Sequence, residues 1–181
     1  GGLTLVDGDS GSGADLLSKG GERAGDVTVA AAGDILAFGD SARGLRARSV
    51  AANDAGAVSL SVAGGAGAYG DGASALELRS VGARSAGAVS ARVDSTLEAA
   101  GDAVRALVAS SQSDGVAGDV DVALGGNVVS EGANARTVAA RRAVSPQGRR
   151  RCGACRMCSC RRYRPCCSPP PGSSRQGSLA A

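Results

Sequence analysis

The sequence predicts an all-β protein, a right-handed parallel β-helix of five 31-residue coils, on three observations. Residues 39–62, GDSARGLRARSVAANDAGAVSLSV, and residues 70–93, GDGASALELRSVGARSAGAVSARV, agree at 14 of 24 positions and lie 31 apart. The same offset reaches residues 101–124 downstream and 8–19 upstream without an insertion. A fixed period of this size marks a solenoid, in which each unit stacks on its neighbours. Apolar and polar residues alternate with period two inside each unit, the pattern of a strand with one buried face. The apolar stripe at spacing three and four that a helical repeat needs is missing, and glycine interrupts every run.

Five units begin at Gly1, Ala32, Ala63, Asp94 and Gly125, the last fading after about Ala140. The first strand of each unit is the weakest, with Thr4, Ile35, Ala66, Leu97 and Val128 in equivalent places. A glycine column comes next at Gly8, Gly39, Gly70, Gly101 and Gly132. The second strand carries Leu45, Leu76, Leu107 and Val138, and two places on Ala47, Leu78, Ala109 and Ala140. Another glycine column stands at Gly25, Gly56, Gly87 and Gly118. The third strand carries Val27, Val58, Val89 and Val120, then Val29, Leu60, Ala91 and Val122, then Ala31, Val62, Val93 and Leu124. Positions such as Ser59, Ser61 and Arg46 fall between and are expected outside. Both glycine columns are expected at turns with positive φ, which other residues adopt only at a cost.

Composition agrees. The 181 residues include one Phe, two Tyr, no Trp, no His and 29 Gly. A compact core without aromatics would bury little apolar area, whereas a coil of stacked strands is held by its backbone ladders.

The stretch Gly39-Asp40-Ser41-Ala42-Arg43-Gly44-Leu45-Arg46-Ala47-Arg48-Ser49, followed by a small-residue turn and AGAVSLSV, resembles the glycine-rich repeats of bacterial autotransporter passengers. The resemblance spans residues 1–140, with Arg48, Arg79 and Ser110 where that family carries Gln. It implies an extracellular or cell-surface segment, a stalk or adhesin without catalytic activity. The implied partners are a host surface, extracellular matrix or other bacterial cells, and the outer-membrane β-barrel of a full-length protein. On this reading the chain is an internal fragment, since neither a signal peptide nor barrel strands stand out in it.

Residues 141–181 break the pattern: ten Arg and all six Cys lie there with no acidic residue, whereas residues 1–140 hold all 17 acidic residues. The column of Ser18, Ser49, Ser80 and Ser111 predicts serine at position 142 and meets Arg142. Three readings of this tail stand. Cys152, Cys155, Cys158 and Cys160 form CxxCxxCxC, four thiolates that can close a zinc site. Clustered Arg attracts phosphate, although no nucleic acid partner is expected. The favoured reading is a disordered tail read out of frame, because GC-rich glycine codons shifted by one base yield arginine.

Other candidate chemistry is thin. Asp9, Asp40, Asp71 and Asp102 would align carboxylates along the rod, suggestive of calcium or acid catalysis; the favoured reading is a turn residue bonding its own backbone. GGAGAYGDG, residues 64–72, contains GxGxxG but no helix follows it, so no dinucleotide cofactor is expected. A β-helical polysaccharide-processing enzyme is the alternative reading, with Arg46, Arg48, Arg79, Arg92 and Glu77 as its polar face.

Overall fold

The computed structural model describes residues 4–144, and they form a parallel β-solenoid of about five coils with no helix among them. One sheet stacks β1 (Thr4–Asp7), β4 (Ile35–Phe38), β7 (Ala66–Tyr69), β11 (Leu97–Ala100) and β15 (Val128–Glu131). A second stacks β2 (Ser12–Gly20), β5 (Arg43–Ala51), β8 (Ser74–Gly82), β12 (Arg105–Ser113) and β16 (Arg136–Val144). The third contains β3 (Val27–Ala31), β6 (Val58–Val62), β10 (Val89–Val93) and β14 (Val120–Leu124). A two-stranded ladder of β9 (Ser85–Ala86) and β13 (Val116–Ala117) adds a short fourth side in the middle coils, which period-two patterning could not reveal in so few residues.

Every pairing is parallel and offset by 31, from Thr4 on Ile35 to Ser113 on Val144. The expected facing holds in detail: Leu45, Ala47, Val58, Leu60 and Val62 are buried, while Arg46 and Ser59 are half-buried and Ser61 is exposed. The core is therefore a set of vertical stacks of like side chains, such as Leu45, Leu76 and Leu107. Alanine fills the narrow interior between the stacks: Ala37, Ala68, Ala75 and Ala106 are fully buried. A chain so poor in aromatics can pack in this way because small residues fill the space that large ones would overfill. Each end coil has one described neighbour, and Leu5, Leu16 and Val128 are exposed there.

The first glycine column behaves as expected, with φ of +107° at Gly39, +124° at Gly70 and +130° at Gly101. Stacking adds a second constraint, because a Cβ on Gly70 would lie 2.6 Å from the Gly39 carbonyl oxygen. The second column departs from expectation. Gly56 and Gly87 are not in the left-handed region; their demand is space, since a Cβ on Gly87 would lie 2.4 Å from the Ala57 nitrogen of the preceding coil.

The final strand also departs from expectation, running four residues beyond Ala140 to Val144. Arg142 occupies the serine column in register with Ser111, and its Nη1 donates to Asp119 Oδ1 at 2.7 Å. No described coil follows, so this position opens to solvent and accepts a long charged side chain.

Candidate functional site

Buried serines organise the corner between the second and third sheets. Ser80 Oγ donates to the Gly56 carbonyl of the preceding coil at 2.8 Å and accepts from Gly87 N–H of its own coil at 2.9 Å. Ser49 repeats this one coil earlier, with Gly25 and Gly56 both at 2.9 Å. Each hydroxyl thus ties two successive glycine turns together, and the bare Cα atoms let those turns approach.

The aspartate column makes a different bond from the one expected. Asp40 Oδ1 accepts from the Asp71 N–H of the next coil at 3.0 Å, and Asp71 Oδ1 from Asp102 N–H at 2.8 Å. Asp9 and Asp102 continue the ladder to Asp40 and Ala133. Each carboxylate points along the rod axis to the next coil instead of toward its own backbone, as do Asp26, whose Oδ1 accepts from Ala57 N–H at 2.7 Å, and Asp34, whose Oδ1 accepts from Gly65 N–H at 2.7 Å. These carboxylates are inter-coil clamps. Among the described residues no group of three potential metal ligands forms; Cys152, Cys155, Cys158 and Cys160 lie outside the described residues.

The outward face of the second sheet gathers most of the described basic side chains. One of its columns reads Arg43, Ser74, Arg105, Arg136; the next reads Asp15, Arg46, Glu77; a third reads Arg48, Arg79, Ser110, Arg141; Lys19 stands beside them. Ion pairs cover the early coils: Arg43 Nε and Arg46 Nε lie 3.2 and 3.3 Å from Glu77 Oε2, and Arg48 Nη2 lies 3.0 Å from Asp15 Oδ2. Arg79 Nη2 donates to Gln112 Oε1 at 2.9 Å. Toward the C-terminal end Arg105, Arg136 and Arg141 are exposed and pair with no carboxylate among the described residues. They border an open concavity of about 530 Å³ with Glu77, Arg79 and Ser110. Of the polar face expected for an enzyme, Arg46, Arg48, Arg79 and Glu77 do share this sheet. Arg92 does not: it stands on β10, with its Nε 2.7 Å from Asp94 Oδ1.

The first sheet carries a separate cluster that sequence patterning missed. Phe38 and Tyr69, in register, stack with ring centroids 4.8 Å apart. The Tyr69 ring lies against Gly67, where a Cβ would come within 2.8 Å of it, and its hydroxyl donates to the Glu98 carboxylate of the next coil. That carboxylate, with some burial, pushes the Tyr69 phenol up to about 12. Within the stretch 64–72, Ala66–Tyr69 form strand β7 with this cluster on it, and no helix follows among the described residues. A third polar cluster sits at a corner, where Asp54 accepts from Arg84 Nε and Ser85 Oγ, each at 2.8 Å. The hydrogen bonds from Arg84 and then Ser85 lower its carboxyl to about 2. Repeat columns identify these residues as outward or at corners, but not which partner each would reach.

Comparison with family models, with curated proteins and with solved structures returns no match for this chain.

Proposed function

We propose that the chain is a structural stalk or adhesin-like segment of a secreted autotransporter passenger, displayed at the cell surface and carried by an outer-membrane β-barrel of the full-length protein. The observation that carries this reading is the uniform coil-to-coil step. Backbone ladders, aspartate clamps and serine bridges each repeat along the rod with the same period of 31 residues. Such side chains serve axial cohesion, as a spacer that transmits tension requires. The enzyme reading needs carboxylates free beside a groove; Asp15 and Glu77 on the polar face are instead each engaged by arginines. The reading is tested by labelling intact source cells with an antibody raised against the rod, before and after external protease. Surface signal that protease removes supports it, and confinement of the chain to the cell interior refutes it.

A further inference from the structure

We propose that the outward face of the second sheet binds an extended anionic polysaccharide, sulfated or uronate-rich, along the rod axis. This deepens the adhesive reading and rests on it only for where the ligand is met.

The first support is the charge layout. That face holds eight cationic side chains against two carboxylates, a net of +6. The remaining described residues hold four arginines against 15 carboxylates, a net of −11. A chain acidic over its described length therefore concentrates its positive charge on one of its sheets. Such separation creates a local potential that draws in polyanions and repels them elsewhere. The second support is pairing. Asp15 and Glu77 engage Arg43, Arg46 and Arg48 of the early coils, while Arg105, Arg136 and Arg141 stay exposed around the concavity and pair with no carboxylate among the described residues. Arginine forks match sulfate and carboxylate oxygens bidentately.

Geometry selects the polyanion. The five strands of this sheet lay the arginine columns parallel to the rod axis over about 19 Å, one step of about 4.8 Å per coil, which suits a single linear chain. A flat sheet presents no element to enter a nucleic-acid groove, which admits a helix or a ribbon. Stacking on unpaired bases needs aromatic platforms, and the described aromatics, Phe38 and Tyr69, belong to the first sheet.

The experiment uses the full 181-residue chain, with heparin and a DNA duplex as the probes. The variant Arg105→Ser/Arg136→Ser/Arg141→Ser uses a residue those columns already contain, at Ser74 and Ser110. A control, Arg23→Ser/Arg84→Ser/Arg92→Ser, removes equal charge away from the second sheet. We expect heparin affinity to fall about tenfold or more in the face variant and less than about twofold in the control. The slope of log Kd against log salt should shrink by roughly one per lost contact, as for phosphate contacts. Circular dichroism confirms the fold, and the single Arg136→Ser change, with a proportionate loss, stands in if the triple variant does not fold. Equal losses in both triple variants would show that net charge or residues beyond the face do the binding, and would overturn the proposal. Duplex DNA bound as tightly as heparin, with the same loss, would overturn the choice of polysaccharide. Failure here leaves surface display untouched, and failure of surface display leaves this binding result intact.

Discussion

Ser80→Ala removes one oxygen and leaves two backbone groups without their partner. Ser80 is fully buried, and its Oγ serves the Gly56 carbonyl at 2.8 Å and the Gly87 N–H at 2.9 Å. The replacement methyl is smaller and adds no clash, so the effect isolates the lost hydrogen bonds. An unmet buried donor or acceptor costs about 1–3 kcal/mol. Both glycines are half-buried, which places the pair near the lower end, at about 2–3 kcal/mol in total. Ser61→Ala, at an exposed site on β6, should stay within about 0.5 kcal/mol. Urea denaturation monitored by circular dichroism should show a lower midpoint at unchanged slope for Ser80→Ala. Hydrogen exchange at the Gly87 amide should accelerate more than at Val89, whose N–H keeps its bond to the Asp119 carbonyl. Equal midpoints for the two alanine variants would refute the claim that the serine ladder holds the glycine turns.

Leu76→Ala should cost about 2–5 kcal/mol by the same denaturation, because Leu76 is fully buried between Leu45 and Leu107 and the stack cannot collapse around the void. Gly70→Val should destabilise by about 1–3 kcal/mol from its positive φ alone, with the contact against the Gly39 carbonyl added; an unchanged midpoint would refute the conformational role of that column. Tyr69, observed by phenolate absorbance in a Tyr163→Phe background, should ionise near pH 12, and Glu98→Gln should bring its midpoint down toward 10. Because the folded value is raised, the Tyr69–Glu98 bond contributes its full stability below about pH 10 and loses it as pH rises through about 12.

The repeat made the fold legible because parallel, in-register stacking turns a sequence offset of 31 into a spatial neighbour, so each column of the sequence is a column of the solenoid. Period-two alternation then settled which side chains point inward, and Val58, Leu60 and Leu76 lie where that rule puts them. The bonds made at each corner were not legible, because they depend on the angle through which the chain turns there. Gly39 and Gly56 look alike in sequence, yet one needs a positive φ and the other needs room beneath a neighbouring turn. Asp40 reads as a local turn residue, yet in the stacked solenoid its carboxylate meets the Asp71 N–H of the coil beyond. Arg46 and Arg92 are both outward by alternation, but they stand on the second and third sheets, and the corner between those sheets sends them to different faces and different partners. Arg142 breaks its column in sequence and is accommodated in space, because the last described coil has no described neighbour to exclude it. Alternation along a strand is a local property set by the backbone's two-residue period, so the sequence alone determines it. The direction in which a polar side chain finds its partner depends on how successive strands are turned about the rod, and that is decided by the tertiary structure.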